Sequence, residues 1–372
     1  MSMLRNFATV GSATASSRVL GFIRDIFIAA ALGTGPVADA YFVAQRLPNL
    51  FRRLFAEGAF ASAFVPLFTK SHKGEGPAAA LLFAEESLAG LAALLLVITV
   101  VAEVGMVWLT FGLAPGFASD PAKFELAVLL GRISFPYLFL ISIVSLLSGA
   151  LNGIGKFAAA AFSPSLLNAV LIAALIFIYF SGEIGTDAAG IWLTASITIG
   201  GVTQLLVLWW VCRRAGLKMQ LRLPRWTPGL KRLTWLAGPS ILAGGVTQIN
   251  IVVGTIVASL EAGAVSWLYY ADRLYQLPLG IVGIAISVVL LPDLSRALSA
   301  GRQDLVDHAQ NRSIEFAAAL TLPATIALFI IPHQIIAVLF QRGAFTAVDT
   351  AATAPAPAMP TIPISSMRGA PH

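Results

Sequence analysis

Arginines at helical spacing inside an otherwise apolar stretch are the residues of this sequence best placed to do chemistry. In 41–67, YFVAQRLPNLFRRLFAEGAFASAFVPL, the side chains of Gln45, Arg46, Asn49, Arg52, Arg53 and Glu57 fall within an arc of about 140°, while Leu47, Phe51, Leu54 and Phe55 take the opposite side. A charge near the bilayer centre costs at least about 2.5–3.5 kcal/mol on insertion scales, so such a face calls for a cavity, an anion or a partner. The bland alternative is that these side chains snorkel to the interface from the helix ends. Stretch 7–32 holds a second set: Ser17, Gly21 and Arg24 recur on one face, with Arg18 and Asp25 about 100° round from it. Here the bland alternative is an intrahelical pairing in which Asp25 offsets one arginine. Guanidinium forks match phosphate oxygens bidentately and stay charged at physiological pH. Arginines from two spans therefore make an electropositive cavity suited to a diphosphate or another anionic headgroup, whose lipid tail stays in the bilayer.

The elements that must position these side chains are membrane helices. The chain has 372 residues, 58% hydrophobic and 11% charged, with a mean hydropathy of +0.84; an ordinary soluble domain carries about 25% charged residues. It reads as an all-α polytopic membrane protein. Runs at 87–111, 137–151, 162–180, 189–212, 235–260, 276–292 and 316–340 are each of about the length that crosses the hydrocarbon core. With 7–32 and 41–67 they give about nine transmembrane helices. Gly33, Thr34, Gly35 and Pro36 break the first span from the second, which Asp39 begins.

Charge distribution orients the bundle. Arg5, Lys70, Lys73, Lys156, the basic run from Arg213 to Arg232, Arg296, Arg302 and Arg312 fall on the side of the N-terminus, and only Lys123 and Arg342 fall on the other. This is the positive-inside pattern with a cytoplasmic N-terminus. The net charge of +6 is thus a matter of topology, and no nucleic acid is expected as a partner. One cysteine, Cys212, and four scattered histidines give neither an intramolecular disulfide nor metal-ligand spacing, so no metal and no cofactor is expected.

An internal repeat organises the chain. ADAYFVAQRL (38–47) aligns with VSWLYYADRL (265–274) at an offset of 227, and FGLAPGFASD (111–120) resembles FQRGAFTAVD (340–349). A parallel repeat of this kind predicts two lobes around a central pathway. Arg46 and Arg273 become equivalent positions, with Asp272 beside the second, while Trp267, Tyr269 and Tyr270 read as an interfacial aromatic belt. The expected organisation is a complete N-terminal six-helix lobe (1–212), a basic cytoplasmic linker (213–232), an incomplete second lobe of about three helices (233–349) and an Ala/Pro-rich disordered tail (350–372). Because the tail stands where the first copy continues into further spans, the sequence reads as C-terminally truncated.

Several segments carry a resemblance: SRVLGFIRD (17–25), DAYFVAQRLPNLFRRLFAEGAFASAFVP (39–66), LAPGF (113–117), ALNGIGKF (150–157), SWLYYADRL (266–274) and LLPDLS (290–295). In this order, over about residues 1–349, they resemble the MurJ/MviN lipid II flippase family, within the wider multidrug/oligosaccharidyl-lipid/polysaccharide exporter superfamily. The resemblance implies a fourteen-span fold of two lobes around a hydrophilic cavity in the bacterial inner membrane. It implies alternating access that carries the undecaprenyl-diphosphate-linked peptidoglycan precursor from the cytoplasmic to the periplasmic leaflet, with membrane lipids and cell-wall synthesis proteins as the other partners. By motif it assigns substrate binding to Arg18 and Arg24, Arg52 and Arg273, with Asp25, Asp39, Glu57, Ser17 and Ser266 as further candidates. Gln276 stands where relatives often carry an acidic residue.

Three rival readings remain at this point. A drug or polysaccharide-lipid exporter of the same superfamily is disfavoured for drugs by a cavity rich in arginine rather than acidic or aromatic groups. A membrane enzyme acting on polyprenyl phosphates would need a metal or nucleophile signature that Asp25, Asp39, Glu57 and Asp272 do not form. An inactive fragment is suggested only by the tail.

Overall fold

The structure is a computed structural model that describes residues 3–53, 60–285 and 301–354. Among the described residues every regular element is helical. In chain order these are α1 (Met3–Leu32), α2 (Pro36–Phe51), α3 (Ala61–Gly74), α4 (Pro77–Val104), α5 (Met106–Leu113), a 3-10 turn (Pro115–Ser119), α6 (Pro121–Ser134), α7 (Pro136–Gly153), α8 (Ala158–Ser181) and α9 (Asp187–Arg214). They are followed by α10 (Pro228–Ser259), α11 (Ala264–Ala285), α12 (Gln303–Ile330), α13 (Pro332–Phe340) and α14 (Ala347–Thr353). Proline opens α2, α4, α6, α7, α10 and α13, where its missing N–H falls among donors that lack intrahelical partners anyway. Side chains of Asp120, Thr186, Thr227 and Thr346 cap the starts of α6, α9, α10 and α14.

Among the described residues five stretches are long and apolar enough to cross a membrane: α4, α6 continued by α7, α8, α9 and α12. Their outward faces carry bare hydrophobic side chains such as Val104 and Phe180, 79% and 81% exposed, as a lipid-facing surface does. Helices α1, α2 and α11 bear the polar residues Asp25, Asp39 and Ser266, which are buried. Close helix contact runs through small residues: Gly149 of α7 sits on Phe64 of α3, Gly200 of α9 on Leu167 of α8, and Gly201 on Tyr137 of α7.

The boundaries differ from the sequence expectation in several places: the single span expected over 41–67 begins earlier, as α2 from Pro36, which ends at Phe51, and α3 starts at Ala61. The span expected at 276–292 begins in fact at Ala264, because the polar half of α11 is buried rather than looped out. The run 316–340 is broken, with α12 ending at Ile330 and Pro332 opening α13. Residues 350–353, expected in the disordered tail, belong to α14, whose start is fixed by a reciprocal capping box between Thr346 and Asp349; residues 355–372 lie outside the described residues. Between α9 and α10 only 215–227 is non-helical. This strap is tied to α4: the Gln220 amide donates to Glu85 at 2.8 Å, Arg222 pairs with the same carboxylate, and the Thr227 hydroxyl donates to Glu86 at 2.8 Å.

At the end of the bundle that holds the α1–α2 turn, two loops interlock. Gly116, in the 3-10 turn after α5, lies on the last turn of α10 and donates its N–H to the Ser259 hydroxyl at 3.1 Å. Gly343, after α13, lies on the last turns of α1, and the next N–H, that of Ala344, donates to the Ala30 carbonyl at 2.8 Å. The two glycines are 227 residues apart, so each copy of the repeat lays a loop on the first helix of the other. A methyl at either glycine would overlap a backbone carbonyl, that of Ser259 or Ala30, and Gly343 also holds φ at +59°. We predict that Gly116→Ala and Gly343→Ala each lower stability by about 1–3 kcal/mol. Gly112→Ala, where the added methyl meets open space, leaves thermal unfolding in detergent unchanged or raises its midpoint.

Candidate functional site

Helix α1 enters the turn at Gly33 (φ +63°), and α2 leaves it antiparallel from Pro36. With about 1.5 Å of rise per residue, the candidate residues sort by depth from that turn. Asp39 and Ser266 lie within about 5 Å of it, Arg24, Arg46 and Arg273 at about 14–15 Å, and Ser17, Arg18 and Arg52 at about 22–24 Å.

Nearest the turn, Asp39 is fully buried and takes four bonds. Lys123 of α6 approaches it at 2.6 Å, the backbone N–H groups of Gly263 and Ser266 donate at 2.9 and 3.0 Å, and the Ser266 hydroxyl donates as well. Lys123 is itself 7% exposed and lies over the Phe117 ring. The start of α6 packs beneath the 3-10 turn, and the ammonium enters the protein to meet Asp39. Asp39 and Ser266 are therefore brought together, but as a closure between α2 and α11 with no lone pair left for a ligand.

In the middle layer Asp25 gathers three partners. Arg24 pairs with it at 2.7 Å, Arg273 of α11 at 3.2 Å, and the Tyr269 hydroxyl donates to it at 3.0 Å. Tyr269 stacks on Phe42 of α2 with ring centroids 3.8 Å apart and lies under the Arg273 guanidinium. Tyr270 is fully buried and donates to the Gly33 carbonyl at 3.0 Å. Neither tyrosine belongs to an interfacial belt, because the face of α11 that bears them packs on α1 and α2. Arg273 also donates to the Gln276 amide oxygen at 3.0 Å, so the neutral side chain serves as an acceptor there. Arg46 donates to Thr255 of α10.

Helix α8 supplies a partner that the sequence expectation missed. Asn168, 5% exposed, accepts from Arg24 at 2.9 Å and donates to the Ser17 carbonyl at 3.0 Å, while its amide rests against Gly21. The face formed by Ser17, Gly21 and Arg24 thus docks on one asparagine, and Ser17 contributes its backbone rather than its hydroxyl. The available signal was a lone amide within an apolar run, which inside a membrane marks a bonded site.

Deepest, Arg18 is exposed and its guanidinium lies against Gly280 of α11. Arg52 stands at a π-helical turn that follows Phe51, and its Nε donates to Asn49 at 3.2 Å. Glu57 lies outside the described residues. The structure therefore brings Arg24, Asp25 and Arg273 into contact, sets Arg18 and Arg52 about 10 Å farther down the bundle, and assigns Asp39 and Ser266 to closure. One carboxylate shared by two guanidiniums leaves excess positive charge, which an anion with several oxygens can take up bidentately. Among the described residues no group of three His, Cys, Asp or Glu side chains could hold a metal ion.

Known proteins give this arrangement a context. Residues 28–359 match the family model described as Lipid II flippase MurJ. The chain is 50% identical over 352 residues to the probable lipid II flippase MurJ of Rhizobium tropici, covering 94% of this chain and 66% of that one. It is 49% identical over 351 residues to the corresponding protein of Rhizobium meliloti (strain 1021), covering 94% and 65%. The chain thus spans just under two thirds of the length of these curated relatives. A solved lipid II flippase MurJ in an inward closed conformation superposes with a TM-score of 0.75 at 25% identity, covering 94% of this chain and 71% of that one. An inward-facing multidrug resistance MATE family transporter of the MOP superfamily shares the fold, with a TM-score of 0.69 at 16% identity, covering 96% and 77%.

The Asp39 closure yields a double-variant test. Asp39→Ala leaves Lys123 buried without its counter-charge and lowers stability by about 3–5 kcal/mol, whereas Asp39→Ala combined with Lys123→Met removes both charges and recovers most of that loss. Thermal unfolding of the detergent-solubilised variants measures the difference.

Proposed function

The chain belongs to the lipid II flippase MurJ family, and on that premise we propose that it carries the undecaprenyl-diphosphate-linked peptidoglycan precursor, lipid II, from the cytoplasmic to the periplasmic leaflet of the bacterial inner membrane. The observation that carries this reading is the pair of guanidiniums, Arg24 and Arg273, drawn from two helices onto the single carboxylate of Asp25 at mid-depth. Such a cluster keeps two forks oriented while leaving them electrostatically under-neutralised, which suits a diphosphate.

The excess of basic residues on the side of the strap makes that side cytoplasmic and the α1–α2 turn periplasmic. On this orientation the Asp39 closure seals the periplasmic end. The headgroup enters past Arg18 and Arg52 and reaches Arg24 and Arg273, where its phosphates compete with Asp25. Asn168 holds Arg24 in place during that exchange. Rocking of the two halves of the repeat, residues 1–212 and 233–349, then opens the far end. Cell-wall synthesis proteins that make or consume the precursor are the natural partners of such a cycle. A drug exporter of the same superfamily finds no comparable support, because the site is arginine-rich.

Binding of purified lipid II to the purified chain tests the reading. Arg24→Ala is expected to weaken it by about tenfold or more, the worth of a charge-assisted bond of about 1.5–3 kcal/mol. In cells depleted of their own lipid II flippase, Arg24→Ala and Arg52→Ala, inserted at the level of the parent, are expected to give less growth than the parent. No binding of lipid II by the parent, or equal binding by Arg24→Ala, would overturn the assignment of the site.

A further inference from the structure

The strap between α9 and α10 presents a surface that neither the bundle nor the candidate site uses. Its inner face is fixed: Arg222 pairs with Glu85, and Glu85 is 3% exposed, so the strap is pressed onto α4. The two neighbours of Arg222, Leu221 and Leu223, are 82% and 80% exposed. Trp226, just before α10, is 70% exposed, and Trp235, within α10, is 79% exposed. Side chains of this size left bare call for an apolar covering. The strap follows directly on α9, a helix long and apolar enough to cross a membrane, and so begins at the level where a bilayer's headgroups give way to acyl chains. Tryptophan and leucine beside arginine and lysine are the composition of segments that lie in that layer.

The charge of the same surface selects among lipids. Arg225, Lys231 and Arg232 are exposed beside the apolar side chains and have no acidic partner among the described residues, whereas both nearby acids, Glu85 and Glu86, are engaged by the inner face. At the end of α9, Arg214 lies over Trp210, with the guanidinium carbon 4.1 Å from the ring centroid, and adds to the same positive edge. We propose that the strap and the first turns of α10 form a binding site for anionic phospholipid headgroups. Arg225, Lys231 and Arg232 take the phosphates, and Leu221, Leu223 and Trp226 enter the acyl layer. The occupant is a resident lipid of one leaflet, bound on the outside of the bundle, and the inference holds whether or not the chain moves lipid II.

A site-directed fluorophore tests it with the whole chain in lipid nanodiscs. In a Cys212→Ser background, which leaves no native thiol, Leu223→Cys carries the label, and the discs hold equal amounts of phosphatidylglycerol and phosphatidylcholine with one or the other brominated. Quenching by the brominated phosphatidylglycerol is expected to exceed that by brominated phosphatidylcholine about fivefold, the equivalent of about one lysine or arginine engaged at the surface. Replacing Arg225, Lys231 and Arg232 with glutamine is expected to equalise the two. A label on Val101→Cys, on an outward face of α4, is quenched equally by both lipids and reports insertion. Equal quenching at Leu223→Cys in the parent would show lipid contact without headgroup recognition. Absence of quenching by either lipid would show that water or a protein covers the strap. Either result overturns the proposal.

Discussion

The carboxylate of Asp39 is the constraint on which the closed end of this bundle depends. It is withdrawn from water, and a buried anion is tolerated only when its lone pairs are met and its charge is opposed. Lys123 opposes the charge, and two backbone amides and a serine hydroxyl at the start of α11 take up the remaining oxygen valence. Three elements far apart in sequence, α2, α6 and α11, are therefore held in one geometry by one side chain. The position of α11 fixed in this way carries Tyr269 and Arg273 down to Asp25, so the middle layer inherits its geometry from the end above it.

Symmetry explains why so small a closure organises so much. Asp39 and Ser266, which bond, and Phe42 and Tyr269, which stack, are both pairs at the repeat offset of 227. Equivalent residues of two copies can touch only where the axis relating the copies passes between them. That axis therefore runs between α2 and α11, and contacts away from it must occur twice. The loops at Gly116 and Gly343 are such a pair, each resting on the first helix of the opposite copy. The closed end is thus held at its centre and on both flanks, and a tilt of one copy against the other strains all of these together.

The repeat offset, the break at 33–36 and the helix face shared by Ser17, Gly21 and Arg24 were legible in the sequence because each is a matter of spacing along one chain. What escaped was the identity of partners. Lys123 resembled any basic residue near a helix start, since nothing local records that the loop before it folds over a buried acid. Tyr269 and Tyr270 had the composition of an interfacial belt, and only the packing of α11 against α1 and α2 turns their hydroxyls to Asp25 and Gly33. Asn168 sat alone in an apolar run, and its role needs both Arg24 and the Ser17 carbonyl in view. Periodicity predicted which residues share a helix face, and tertiary packing alone decided what each face meets.

The middle layer differs from the end in one respect that bears on transport. Asp39 is met by one cation, by a serine hydroxyl and by two backbone donors that cannot leave it without moving the start of α11. Asp25 is met by two guanidiniums on flexible stems and one phenol. Arg273 also has a second acceptor in Gln276, on its own helix. Its ion pair with Asp25 can therefore, on the proposed function, be exchanged for a phosphate oxygen without leaving a buried charge unpaired, which is the costly event in such a setting. On the proposed function, the acid nearest the turn is built to hold and the acid at mid-depth is built to be displaced. On that reading, a headgroup that draws Arg273 off Asp25 removes one tie between α1 and α11 and leaves the Tyr269 hydroxyl on Asp25 and the Asp39 closure to hold α11. Substrate occupancy is, on the same reading, coupled to the stability of the closed end through α11, which contributes Ser266 to one layer and Tyr269 and Arg273 to the other.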